Sequence, residues 1–233
     1  FIMENKMVDF SDLRKRYTHD VPQQETPRIV DSNSTVSFSV QQDPIEYTNP
    51  SVEAFWPTPM WKFVIPNTPL LHKMREYILG EVTKVPSVPR SNFGGWQSPP
   101  TYQDKPVFKP LVNNVLAFCK KEISETPEYY IESMWLNVNR KGACNQVHIH
   151  EGSLTGIFYV QTDEKTGGIG FCDPRIRATM ADNFSKSITE SINKGYHPTP
   201  GMGLIFPTWV EHYTQINESD KERISISFNI DVR

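Results

Sequence analysis

Asn145–Val160 reads NQVHIHEGSLTGIFYV, with two histidines two residues apart ahead of an apolar run. In a β-strand, side chains two apart leave the same face. His148 and His150 therefore present two imidazoles to one side, while Val147 and Ile149 face the other. Such a pair is usually no more than the wet face of a surface strand. The alternative is a metal, which needs a further ligand from elsewhere in the fold. His212 lies in a separate strand-like segment, FPTWVEHYTQI (206–216), and offers one. Neutral imidazole is the commonest protein ligand for zinc, copper and iron, and three protein ligands leave positions open for substrate or oxygen. Half of the six histidines in the chain fall at these positions.

The surrounding pattern is one of strands. YIESMWLNVNR (130–140), NQVHIH (145–150), LTGIFYVQ (154–161), GIGFCD (168–173), GMGLIFP (201–207), VEHYTQI (210–216) and RISISFNIDV (223–232) are separated by Gly, Pro, Asn or charged turns. Seven strands with a single long connection predict an antiparallel sandwich or barrel. That connection, Asp173–Pro200, is polar, and as a long loop between strands of the site it is expected to cover the pocket mouth. Arg175 and Arg177 on it are weak candidates for an anionic group, since exposed arginines are usually solvated.

Two helices precede the strands. NTPLLHKMREYILGEVTK (67–84) offers Thr68 as cap and Pro69 in the first turn, with Leu70, Leu71, Met74, Tyr77 and Ile78 at helical period. KPLVNNVLAFCKKEI (109–123) places Leu111, Val115, Phe118 and Cys119 on one stripe. The Gly- and Pro-rich loop between them carries Trp96 and Tyr102, read as packing aromatics. Residues 1–55 are polar and read as an extended N-terminal arm with one short strand, TVSFSV (35–40); residues 56–233 read as the folded domain.

Composition narrows the classes. The chain has 233 residues, a formal net charge of -3 and 37% hydrophobic residues, which suits a soluble protein with a sizeable core. No basic patch dominates, so nucleic acid is not the expected partner. No apolar run is long enough to span a bilayer, and the charged start FIMENKMVDF is unlike a signal peptide. Cys119, Cys144 and Cys172 form no disulfide pattern, which suggests a reducing, cytoplasmic setting. A homo-oligomer is left open.

The last strand carries the decisive alternation. Ile224, Ile226, Phe228 and Ile230 interleave with Arg223, Ser225, Ser227 and Asn229. On a surface strand the polar set is simply solvated. Inside a barrel it lines a pocket, where Arg223 offers a planar fork and Ser225 a hydroxyl to a carboxylate. Thr155 and Tyr159 share a face of their own strand and add hydrogen-bonding groups.

His148-x-His150, the strand ending Tyr159-Val160, His212, and Arg223-x-Ser225 eleven residues on resemble the 2-oxoglutarate/Fe(II)-dependent oxygenases. More narrowly, SNFGGWQS (91–98), WLNVNRKGACNQVHIHEGSLTGIFYV (135–160), GMGLIFPTWVEHY (201–213) and ERISISFN (222–229) resemble a group of oxygenase-like proteins from marine bacteria and phages. The resemblance covers roughly residues 55–233. It implies a mainly β, double-stranded β-helix (jelly-roll) fold with two flanking helices. It also implies Fe(II) held by His148, His150 and His212, and 2-oxoglutarate held by Arg223 and Ser225 with help from Tyr159 and Thr155. The activity implied is hydroxylation by molecular oxygen of a small-molecule or protein substrate. One departure stands out: where the family pattern HxD/E places a carboxylate, this chain has His150, followed by Glu151. A neutral ligand there raises the charge of the metal site by one unit. Two rivals remain: a three-histidine, cupin-like metal dioxygenase with no need of Arg223, and a non-catalytic jelly-roll interaction protein.

Overall fold

A computed structural model describes residues 57–175 and 193–233, all within one compact unit that begins at Ala54. The N-terminal arm with its TVSFSV strand lies outside the described residues, as does the interior of the long connection. The elements run β1 (Trp61–Val64), α1 (Thr68–Val82), β2 (Asn92–Phe93), β3 (Trp96–Gln97), α2 (Lys109–Phe118), β4 (Tyr129–Asn139), β5 (Cys144–His148), β6 (Leu154–Gln161), β7 (Ile169–Cys172), β8 (Asn193–Tyr196), β9 (Met202–Pro207), β10 (His212–Thr214) and β11 (Arg223–Val232). They form two antiparallel sheets, in the orders β1-β9-β6-β11-β4-β3 and β2-β5-β10-β7-β8. This is the antiparallel sandwich expected from the strand pattern, in the jelly-roll form that the resemblance implies.

Both helices pack on the outer face of the six-stranded sheet. Met74 and Ile78 of α1 and Leu111 and Val115 of α2 meet Ile224, Ile226 and Phe228 of β11, with Met134, Leu136 and Phe158 completing the layer. Each fully buried aliphatic or aromatic side chain in it contributes about 1.5–3 kcal/mol. Because β11 alternates strictly, committing its isoleucines to the helices turns Arg223, Ser225, Ser227 and Asn229 inward, between the sheets. Arg223 is 1% exposed and Ser225 3%, so this polar face is not solvated.

Several local expectations are corrected. Asn67, not Thr68, caps α1, its side-chain oxygen accepting from Leu70 N–H. The residue one step earlier suits the cap because Thr68 and Pro69 already occupy the first turn. The stretch Asp173–Pro200 is not one uninterrupted loop: β8 within it pairs with β7 from Ile169↔Tyr196 to Cys172↔Asn193. Gly195 suits this pairing, since a Cβ there would approach the Ile169 carbonyl to 2.9 Å. Trp96 and Tyr102 are packing residues as read. Trp96 Nε1 donates to the Val85 carbonyl, and the Tyr102 hydroxyl donates to Glu81.

Gly156 on β6 is required by close approach, because a Cβ there would strike the Phe228 ring and lie 2.7 Å from the Leu204 carbonyl. Gly156→Ala should therefore lower stability by about 1–3 kcal/mol, read as a lower urea midpoint at unchanged slope. An unchanged midpoint would contradict this packing.

Candidate active site

His148, His150 and His212 converge: one ligand nitrogen from each lies within 4.8 Å of the others. The ring centroids of His148 and His212 are 4.3 Å apart, and the Nε2 atoms of His150 and His212 are 3.3 Å apart. A single ion with bonds of about 2.1 Å bridges such a separation. His148 and His212 are directly opposed in the β5–β10 ladder. His150 lies beyond the end of β5, so it is not held on the strand as its spacing predicts. Its backbone N–H donates to the Thr208 carbonyl, which fixes the turn that swings the ring back. Glu151 is exposed at the cavity mouth and is not one of the converging groups.

Two of the rings have their tautomer set. His148 Nδ1 lies 2.7 Å from the Gln146 carbonyl and His212 Nδ1 lies 2.9 Å from the Val210 carbonyl. A carbonyl only accepts, so Nδ1–H donates and each Nε2 lone pair faces the gathering point. Burial, with the neighbouring rings, pushes His212 down to about 3 and His150 to about 4, and burial lowers His148 as well. All three are neutral near pH 7, the state that binds a cation.

The cavity beside them has a volume of about 560 Å³. One wall is the inner face of the six-stranded sheet, where β4 contributes Ser133, Trp135 and Asn137 and β11 contributes Ser225, Ser227 and Asn229. Cross-strand pairing sets Asn137 against Ser225, and Ser225 against Tyr159. The opposite wall carries His148, His212, Thr214 and Asn145. Asn145 reaches the cavity because β5 is bulged: Gln146 and Val147 together oppose Tyr213 alone, between the pairs His212↔His148 and Thr214↔Asn145. Sequence reasoning read the β11 part of this wall of amides and hydroxyls but missed the part that β4 supplies. The alternation of Ser133, Trp135, Asn137 and Asn139 along β4 is the signal that could have exposed it.

Ser225 and Thr155 line the cavity, whereas Arg223 and Tyr159 stand behind its surface. Arg223 Nη1 donates to the carbonyls of Thr166 (2.6 Å) and Gln215 (2.9 Å), and Nη2 donates to Thr214 Oγ1 (2.8 Å). Among the described residues no carboxylate pairs with this guanidinium. Burial lowers its pKa, and the nearby Tyr159 opposes that shift. The Tyr159 hydroxyl is itself buried without a partner, and burial raises its pKa. Asn137 Oδ1 and Asn229 Oδ1 are likewise buried and unpaired. On the long connection, Arg175 is taken by Asp173 at 2.6 Å; Arg177 lies outside the described residues.

Residues 133–229 match the model of a family described as "Putative 2OG-Fe(II) oxygenase". The matched segment includes all three histidines, Arg223 and the wall strands β5, β6 and β10. Solved structures of such oxygenases share the fold. A prolyl-4-hydroxylase from Pseudomonas putida aligns with a TM-score of 0.55 at 10% identity, over 76% of this chain and 94% of its own. The viral collagen prolyl hydroxylase of Paramecium Bursaria Chlorella virus-1, solved as a 2OG complex, aligns at 0.54 and 12% identity, over 73% and 94%. HygX from Streptomyces hygroscopicus, with nickel and 2-oxoglutarate bound, aligns at 0.54 and 13% identity, over 75% and 83%. At these identities the likeness is one of fold. No curated protein matches the chain in sequence.

The depressed histidines make a prediction for the metal-free protein. Each ring binds its proton less tightly folded than unfolded, where the pKa is about 6.5. The stability they carry is therefore complete above pH ~6.5 and is lost as pH falls towards 4 and then 3. Urea midpoints should drop steadily from pH 7 to pH 4, and His212→Gln should flatten that slope. An equal slope in the variant would show that His212 is not buried neutral.

Proposed function

We propose that the protein is a non-haem Fe(II)/2-oxoglutarate-dependent oxygenase of the hydroxylase type, with His148, His150 and His212 holding the metal. The observation that carries the cosubstrate reading is the buried Arg223, paired with no carboxylate among the described residues, near the unpaired Tyr159 hydroxyl and linked through Thr214 to the strand of His212. A buried cation without a counter-ion and a buried hydroxyl without a partner are each costly. One carboxylate placed between them satisfies both. The donor set also fits the metal: three neutral imidazoles, two already oriented by backbone carbonyls, stand at the edge of a cavity with room for further ligands.

Bound together there, Fe(II) and 2-oxoglutarate supply the oxidising chemistry, coupling decarboxylation of the 2-oxo acid to insertion of one atom of molecular oxygen into the substrate. The chain's own residues do the rest. Arg223 and Tyr159 fix the distal carboxylate, while Ser225 and Thr155 hydrogen-bond along the wall. Thr214 ties the guanidinium to β10, the strand that carries His212. The apolar Ile157 and Ile169 line the cavity beside the histidines and limit water there. With His150 in place of a carboxylate, the site carries one more positive charge, which favours an anionic cosubstrate. The substrate is a small molecule or a protein segment that enters past Ile149 and Glu151. The free thiols of Cys119, Cys144 and Cys172 support a reducing, cytoplasmic setting. Among the described residues no helix is long and apolar enough to cross a membrane.

Anaerobic addition of Fe(II) and 2-oxoglutarate should produce the visible metal-to-ligand charge-transfer band of the chelate. Metal binding with no such band, and no 2-oxoglutarate consumption under oxygen, would favour the three-histidine dioxygenase instead. Arg223→Lys should bind 2-oxoglutarate more weakly by about 2–5 kcal/mol while keeping metal affinity, because an ammonium cannot reproduce the fork.

Tyr159→Phe makes a sharper test. Removing an unpaired buried hydroxyl should leave the metal-free protein as stable or more so, yet weaken 2-oxoglutarate binding by about 0.5–1.5 kcal/mol or more. Loss of stability with unchanged affinity would assign the hydroxyl to the scaffold.

A further inference from the structure

The three histidines are not held alike. His148 and His212 each donate from Nδ1 to the carbonyl two residues earlier on the chain, so main-chain geometry fixes both rings. His150 has no such bond: its only side-chain partner among the described residues is His212, through Nε2. It also stands outside β5, on the turn that leads to Gly152 with its positive φ of +92°. Besides His148 and His212 at 5.0 and 5.1 Å, the ring beside it is that of Trp135 of β4, whose centroid lies 5.4 Å away at an interplanar angle of 38°. Trp135 is 9% exposed and sits between Ser133 and Asn137 on an otherwise polar wall. It is anchored by its own ladder position opposite Ser227. This large rigid aromatic, among serines and asparagines, belongs to neither apolar cluster, and its aromatic-ring neighbour among the described residues is His150.

We infer that Trp135 is the positioning residue for His150: its indole face replaces the missing backbone acceptor and aims that imidazole at His148 and His212. This rests on the reading of the triad as a metal site and extends it to a residue that is not itself a ligand. Partners that orient a ligand ring typically contribute 10–100-fold to metal affinity, and here an aromatic contact takes that place. His212 also has an aromatic neighbour, Phe206, at 4.8 Å and 72°. Because the Val210 carbonyl already holds His212, losing Phe206 should matter far less to the metal. That contrast separates positioning from general packing.

The test is anaerobic Co(II) titration of the full metal-free chain, without 2-oxoglutarate, read by visible ligand-field absorption and by thermal melting. Trp135→Leu is expected to raise the Co(II) Kd at least about tenfold and to move the spectrum towards that of His150→Ala. Trp135→Phe, which restores a flat ring, should recover the parent spectrum and most of the affinity. Phe206→Leu should keep the parent spectrum with a Kd within about threefold. Trp135→Leu added to His150→Ala should produce no further loss. If Trp135→Leu does not fold, Trp135→Met replaces it, filling the space without a ring face. Parent affinity and spectrum in the leucine or methionine variant would overturn the inference. So would equal losses in it and in Phe206→Leu, or a further loss on top of His150→Ala. A parent chain that binds no Co(II) would remove the metal reading and this inference with it. A parent that binds Co(II) but not 2-oxoglutarate would sink only the cosubstrate reading.

Discussion

β11 has to serve two environments at once, and the rest of the domain is arranged around that strand. It lies inside the six-stranded sheet between β6 and β4, so both of its edges are hydrogen-bonded, while the helix layer packs on one face and the other faces the cavity. Strand geometry sends alternate residues to opposite sides. The isoleucines and Phe228 close the helix-packed layer, which leaves Arg223, Ser225, Ser227 and Asn229 no choice but the space between the sheets. A guanidinium in that space needs acceptors. It finds them in the Thr166 and Gln215 carbonyls and the Thr214 hydroxyl, which ties the turn after β6 and the end of β10 to β11. The same charge that closes this end of the barrel keeps unused donor capacity beside an unpaired tyrosine hydroxyl.

The two walls of the cavity divide the labour. The smaller sheet carries the imidazoles, two of them locked by their own main chain. The larger sheet carries neutral hydrogen-bonding groups with buried amide oxygens still unpaired at Asn137 and Asn229. Unpaired buried acceptors are rare because each costs about 1–3 kcal/mol, and here two of them, on Asn137 and Asn229, share one wall of the cavity beside the metal triad. A donor-bearing ligand satisfies what the folded chain leaves open. Between these groups stands Trp135, the aromatic that β4 contributes to the cavity lining.

Much of this was legible along the chain. Strands β4–β7 and β9–β11, the two helices and the three histidines follow from alternation, helical period and spacing. What was not legible came from short-range backbone events and from contacts between distant segments. β8 reads as loop because Asn193–Tyr196 has little apolar character; its strand form depends on β7 lying beside it. The bulge at Gln146–Val147 changes which residues of β5 face the cavity, and nothing in the local pattern announces it.

The sequence by itself determined that β11 would have one apolar and one polar face, and that two imidazoles would leave Asn145–Val160 close together. Those are consequences of periodicity, which is a local property of the chain. Only the tertiary structure decided that the polar face is buried rather than solvated, because that depends on which side the helices cover. Only it decided that His150, beyond its strand, swings back to the triad, and that Arg223 is bound by backbone carbonyls with no carboxylate partner among the described residues. Burial and partner choice are set by segments tens of residues away, and no local pattern encodes them.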